Sequence, residues 1–197
     1  MLKSLNQVEI VLATHNSGKV KEFDSALTPL GVKLLFARDT NIDEPEETGT
    51  SFIENAVLKA AAASRLTNHP ALADDSGLVI PALEGHPGIN SKRWAESCGG
   101  FPSAFTKLEF LLKDIHDKSA YFECALALYW PNGSNEVFVG KIHGNLSFPP
   151  RGFNGFGYDP IFEPEGFIQT FGEMGAQQKQ TISHRARAIE KLVKAYL

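Results

Sequence analysis

Two short apolar runs, Ala71-Leu72-Ala73 and Leu78-Val79-Ile80, each read as a strand, and between them stand two neighbouring carboxylates, Asp74 and Asp75. Few features constrain a fold more, because a pair of acids inside strand-forming sequence must be compensated. With Ser76-Gly77 read as a turn, one or both acids project from a strand end at the rim of a cleft. An anionic pair at short range needs a cation or a shared proton, and hard carboxylate oxygens favour Mg²⁺ held together with substrate phosphate. The competing reading is an Asx-turn, in which Asp-Ser-Gly closes a loop and does no chemistry.

A chain of 197 residues can bury one sizeable core, as one domain or as two lobes that share it. With 43% hydrophobic and 21% charged residues and no apolar run of membrane-spanning length, it reads as a soluble globular protein. The start, MLKSLNQVEIVLATHN, lacks the apolar stretch of a secretory signal, and the two cysteines, Cys98 and Cys124, form no disulfide framework or metal-ligand spacing. Both features fit a reducing cytoplasm. A formal charge of −4 argues against nonspecific nucleic-acid binding, though not against a nucleotide held with a metal.

Glu9 to Ala13 reads as a first buried strand, and Thr14-His15-Asn16-Ser17-Gly18-Lys19 leads into a helix carrying Val20, Phe23, Leu27 and Leu30 on one face. A strand–turn–helix of this kind aims backbone N–H groups and a helix dipole at an anion, with Lys19 adding a point charge. It is no P-loop, since Ala13 and Val20 stand where that motif needs Gly and Ser or Thr. Plain capping by Asn16 or Ser17 is the alternative. Gly31 ends the helix, and Lys33 to Ala37 is a second strand. Arg38 to Gly49 is a polar loop with Asp39, Asp43, Glu44, Glu46 and Glu47, and a capping box, Ser51-x-x-Glu54, opens an alanine-rich helix ending near Asn68-His69-Pro70. Glu46 or Glu47, just ahead of that helix, could supply a second carboxylate to a cation at Asp75.

Pro81 to Gly100 is punctuated by glycine and proline and is expected to be a long loop with little regular structure, in which Arg93 either faces phosphate or is a surface cation. Ser103 to Ile115 is expected to be helical, with Phe105, Leu108, Leu111, Leu112 and Ile115 inward. Tyr121–Trp130 and Glu136–His143 form a hairpin around Asn132-Gly133. In Arg151-Gly152-Phe153-Asn154-Gly155-Phe156-Gly157-Tyr158-Asp159-Pro160, glycines among aromatics permit close approach to a flat ligand such as a purine, with Phe153, Phe156 or Tyr158 as stacking face. Alternatively those aromatics cap the core. Gln177 to Leu197 has helical spacing, with Lys179, Ser183, His184 and Arg185 upstream and in the first turn. Cations there oppose the macrodipole, which suits a docked anion or carbonyl, or else form a solvated basic patch.

Taken in order, ATHNSGKVKEF, EETGTSFIENA, ALADDSGL, GFGYDPIF and ISHRARA closely resemble the inosine/xanthosine triphosphate pyrophosphatase family, also called Ham1-like or RdgB-like, over essentially the whole chain. The resemblance implies an α/β (α+β) fold: one two-lobed domain over residues 1–197, an elongated mixed sheet flanked by helices, with a nucleotide cleft between the lobes. It also implies Mg²⁺-dependent hydrolysis of ITP, dITP and XTP to the monophosphate and pyrophosphate, and a homodimer. By position, Thr14, His15, Asn16, Ser17, Gly18 and Lys19 match the triphosphate turn, and Asp75 matches the general base and metal ligand. Asp74 and Glu46 or Glu47 would complete the metal's surroundings, and Ser76 matches a substrate contact. Phe156, Gly157, Tyr158 and Asp159 match the base loop, and Lys179, His184 and Arg185 match residues meeting base and phosphates. His15 stands where many members have glycine, and Gln177-Gln178 where glutamates are usual. Two readings from other classes are a regulatory nucleotide-binding module without turnover, which would not need the carboxylates, and an enzyme acting on bases within nucleic acid, which would need a basic track.

Overall fold

The computed structural model describes residue 5 and residues 8–37 and 43–197. Of the polar loop expected from Arg38, the part through residue 42, including Asp39, lies outside the described residues, as does most of the sequence before Val8.

Among the described residues, six strands form one mixed sheet in the order β2-β1-β3-β4-β5-β6. β1 (Glu9–Leu12) runs parallel to β2 (Lys33–Phe36), pairing Glu9 with Lys33, and parallel to β3 (Ala71–Val79), pairing Leu12 with Leu72. β4 (Ser119–Tyr129) and β5 (Asn135–Leu146) are sheet neighbours joined by a turn in which Gly133 adopts φ 89°, as the Asn-Gly pair predicts. β6 (Phe162–Pro164) adds antiparallel to β5. The helices are α1 (Ser17–Leu27), α2 (Phe52–Thr67), α3 (Ser91–Ser97), α4 (Phe101–Leu111), α5 (Ala176–Ile182) and α6 (His184–Tyr196).

The chain divides into two compact units, to both of which β3, β4 and β5 contribute. The first takes residues up to Asp75, Cys124–Gly140 and Arg185–Leu197. Its core joins Ile10, Leu12, Phe23, Leu27, Leu72, Leu126, Leu128 and Leu192. The second takes Ser76–Glu123 and Lys141–His184, with Leu78, Ile80, Leu108, Phe122, Tyr158, Phe162 and Phe171 at its core.

Four expectations about local structure are corrected. β3 does not end at the acids: it runs unbroken from Ala71 to Val79, so Asp74 and Asp75 lie mid-strand and Ser76-Gly77 makes no turn. The stretch after it is not a structureless loop, since Pro81–Leu83 and Gly88–Asn90 are 3₁₀ turns and Ser91–Ser97 is helical. α4 starts at Phe101 with Pro102 in its first turn and ends at Leu111, which is exposed rather than inward. The C-terminal segment is two helices, parted at Ser183, whose ψ of 161° is extended.

The capping box before α2 holds, in altered form. Ser51 Oγ accepts the N–H of Glu54, while the Glu54 carboxylate accepts chiefly from the N–H and hydroxyl of Thr50, with a smaller contribution from the Ser51 backbone. Ser51→Ala is expected to cost about 1 kcal/mol, read as a lower urea midpoint with unchanged slope.

Candidate active site

The closest ion pairs of the two acids of β3 go to different side chains, as the alternation of side chains along a strand favours. Asp74 is fully buried and receives two cations. Lys19 Nζ lies 3.0 Å from its Oδ2, and Arg185 donates to the same oxygen through Nη2 at 3.0 Å. Arg185 is itself buried, pairs through Nη1 with Glu22, and lies over the Phe23 ring. Burial alone would lower the guanidinium's pKa. Asp74 and Glu22 outweigh that and raise it, so Arg185 is permanently charged.

Asp75 belongs to a second group. Asn55 Nδ2 donates to Asp75 Oδ2 at 3.0 Å, and Lys59 Nζ lies 3.7 Å from Asp75 Oδ1 and 2.6 Å from Glu47 Oε1. Burial pushes the Asp75 carboxyl above its ordinary value, and Glu47 adds to the rise; Lys59, Lys19 and Asn55 oppose it without cancelling it. Burial would lower Lys59, but Asp75, Asp74 and Glu47 hold its pKa up, so it stays an ammonium. A carboxylate that binds a proton more readily than usual, beside fixed cations, is the arrangement expected of a general base.

Neither Asn55 nor Lys59 was singled out from sequence, although both left a signal. They fall on the helical stripe that also carries Phe52, Ala56, Ala60 and Ala63, the stripe that turns inward. An amide and an ammonium on an apolar stripe need partners, and finding Asp75 and Glu47 would have followed. Glu22, on the same helix as Lys19, had no comparable signal. Of the two candidate acids ahead of α2, Glu47 joins the group and Glu46 is exposed. Asp74, expected to help hold a metal, has a buried carboxylate whose Oδ2 pairs with Lys19 and Arg185.

The turn before α1 is capped. Asn16 Oδ1 accepts from the N–H groups of Gly18 and Lys19 at 2.9 and 3.1 Å, Thr14 is buried, and His15, Asn16 and Ser17 are exposed. Two of the amides expected to meet an anion are thereby occupied by a side chain, and Lys19 is turned to Asp74.

In the second unit the glycine-rich loop is fixed from below. Asp159 Oδ2 accepts from Phe156 N at 2.8 Å and from Lys179 Nζ at 2.6 Å, and the Lys179 ammonium lies 4.6 Å from the Phe156 ring centre. Gly155, with φ 75°, must be glycine, for a Cβ there would lie 2.0 Å from Asp159 Oδ2. Tyr158 is not a stacking face: its ring packs edge-on against Phe101, its hydroxyl donates to the Ser91 carbonyl, and burial raises its pKa. Phe156 is half-buried and Phe153 fully exposed. Gly157 has φ 65°, Ser76 is half-buried on β3, and His184 is buried, stacked on Phe122 with 4.8 Å between ring centres.

Could the residues present hold a divalent cation? Among the described residues no three His, Cys, Asp or Glu side chains are grouped to enclose one. Asp75 and Glu47 nevertheless converge on a single positive charge, the Lys59 ammonium. Two carboxylates and no cage fit Mg²⁺, which keeps several waters and is bound by one or two carboxylates together with substrate phosphates.

Fold and site together define an α/β protein whose mixed sheet carries buried acids answered by lysine and arginine. The Ham1 family model matches residues 10–195, and the chain belongs to that family. It is 47% identical over 199 residues to the dITP/XTP pyrophosphatase of Ruegeria pomeroyi, covering 98% of both chains. Against the dITP/XTP pyrophosphatase of Caulobacter vibrioides it is 49% identical over 186 residues, covering 93% of this chain and 95% of the relative. A solved HAM1 protein from Coxiella burnetii has a TM-score of 0.86 at 40% identity, covering 95% of this chain and 98% of that one.

Proposed function

We propose that this protein hydrolyses the noncanonical purine nucleoside triphosphates ITP, dITP and XTP at the α–β phosphoanhydride, releasing the nucleoside monophosphate and pyrophosphate. The observation that carries the reading is the convergence of Asp75 and Glu47 on one ammonium, in a chain whose relatives bear the name dITP/XTP pyrophosphatase.

In the first unit, Asp75 accepts the proton of the attacking water, and its raised pKa suits that task. Mg²⁺ is the cation that Asp75 and Glu47 would hold, and it supplies neutralisation of phosphate charge. Lys19, with the turn from Thr14, faces the triphosphate; Lys59 is the second ammonium available to it. In the second unit, Ser76 contacts substrate and the loop from Phe156 to Asp159 carries the base, with Phe156 as stacking face and Lys179 and His184 supporting it. Arg185 and N–H groups of the loop are the candidate donors to O6 of the base, and Arg185 itself pairs with Asp74 and Glu22. Fixed donors there are left opposed to an amino group when adenine enters, which is the source of selectivity.

We place the enzyme in the cytoplasm as a homodimer; that Cys98 and Cys124 form no disulfide is in keeping with a reducing compartment. Among the described residues no helix is long and apolar enough to cross a membrane.

A panel of ITP, XTP, dITP, ATP and GTP with Mg²⁺, with pyrophosphate and orthophosphate assayed separately, tests the proposal. Pyrophosphate is expected from the first three, with kcat/KM about 10²-fold or more above ATP. Orthophosphate alone would overturn the assignment, and no turnover would favour a regulatory nucleotide-binding module.

A further inference from the structure

We infer that Asn55 is a positioning residue of this centre, holding Asp75 and the segment that carries Glu47 at the separation at which their carboxylates share one cation. The inference deepens the proposed function and rests on it.

Asn55 is completely buried on the inward stripe of α2. A buried primary amide is tolerated when both its ends are satisfied, and here the two ends serve segments distant in sequence. Oδ1 accepts the N–H of Gly49 at 2.8 Å, and Nδ2 donates to Asp75 Oδ2 at 3.0 Å. The orientation of the amide is dictated by its partners. A backbone N–H can only donate, so the oxygen must face Gly49, which leaves the NH₂ for the carboxylate.

The loop end of this bridge explains the glycine. A Cβ at position 49 would lie 2.6 Å from Asn55 Oδ1 and 2.7 Å from Glu54 Cβ, so only glycine lets the backbone come close enough to donate. Gly49 follows Glu47 and Thr48 directly, so its anchoring restrains where Glu47 can stand. One turn further along the same helix, Lys59 takes its place between the acids, 2.6 Å from Glu47 and 3.7 Å from Asp75. Two carboxylates that repel each other are thus kept together by one side chain that bonds to Asp75 and to the backbone beside Glu47, while the other Asp75 oxygen, Oδ1, is the one turned to the cation.

The experiment compares wild type, Asn55→Ala and Gly49→Ala by electron paramagnetic resonance titration with Mn²⁺ alone, without nucleotide, alongside steady-state hydrolysis of ITP and thermal melts. Both variants are expected to bind Mn²⁺ about 10-fold more weakly or worse, and to lose about 10–100-fold in kcat with KM for ITP little changed. A residue that merely filled the core would shift the melting temperature and leave Mn²⁺ affinity and kcat alone. If Asn55→Ala does not fold, Gly49→Ala, whose added Cβ meets Asn55 Oδ1 and the first turn of α2 and leaves the Asn55 amide in place, decides the matter. Folded variants with wild-type Mn²⁺ affinity, or wild-type protein that binds no Mn²⁺, would overturn the inference. Failure of wild type to hydrolyse ITP would sink the functional reading while the metal titration still reports on Asn55.

Discussion

Asp75→Asn is expected to lower kcat for ITP by roughly 10³-fold, the loss typical of a general base, while leaving the protein as stable as wild type or more so. The second half of that expectation follows from the direction of the Asp75 shift. Burial and Glu47 raise its pKa in the folded chain above the unfolded value, even against the pull of Lys59, Lys19 and Asn55. The folded state therefore binds the proton more tightly than the unfolded one. Stability from this group is fully present below the unfolded pKa and is lost as pH rises through the folded one. At neutral pH the ionised acid is held at a cost, which an uncharged amide of the same shape avoids; Lys59 keeps Glu47 at 2.6 Å as its counter-ion. Urea midpoints of wild type and variant, compared from acid to neutral pH in chelator, should separate in the variant's favour as pH rises. A variant that turns over ITP at the wild-type rate would falsify the catalytic assignment, and one clearly less stable at neutral pH would contradict the electrostatic account.

What sequence could show here was whatever neighbours along the chain decide. The first strand was expected over Glu9–Ala13 and is Glu9–Leu12, and the helix after it starts at Ser17 because Asn16 caps it, a side chain acting on amides two and three positions away. The start of α2 was legible for the same reason, its capping residue Ser51 standing next to it. β3 was misread because its continuity is decided elsewhere. Ser76-Gly77 between acids reads locally as a turn, yet Lys19, Lys59 and Arg185, from three other segments, supply the charge that lets Asp74 and Asp75 remain within a buried strand. Among site residues, Asp75 and Lys19 were visible as charged groups in unusual company. Glu22 was not, because what sets it apart is a partner 163 positions away. The partners of Arg185 were hidden on the same ground: a guanidinium next to a helix start looks like a ligand for an anion, and only the fold shows that it also pairs with the protein's own Asp74 and Glu22.

Asp74→Asn is expected to behave in the opposite way to its neighbour, destabilising the protein by about 3–5 kcal/mol, the usual loss when one partner of a buried ion pair is removed. Asp74 Oδ2 lies 3.0 Å from both Lys19 Nζ and Arg185 Nη2. Lys19, only partly buried, can turn towards water; Arg185, with its side chain 2% exposed, cannot. Neutralising Asp74 leaves that guanidinium with one carboxylate fewer, its pair with Glu22 remaining, and an amide cannot replace a carboxylate that accepts from two cations at once. For a chain of this length the melting temperature should fall by on the order of 10 °C. Restoring charge balance with a second change, Arg185→Met, should recover part of the loss, since an uncharged pair no longer leaves a buried cation uncompensated. Chemical denaturation of the two single variants and the double variant measures the coupling directly. Were Asp74→Asn as stable as Asp75→Asn, the division of labour between the two acids, one a structural counter-ion and the other a strained base, would be lost. If instead the two respond with opposite signs, adjacent identical residues on one strand are doing different work because consecutive side chains of a strand meet different neighbours.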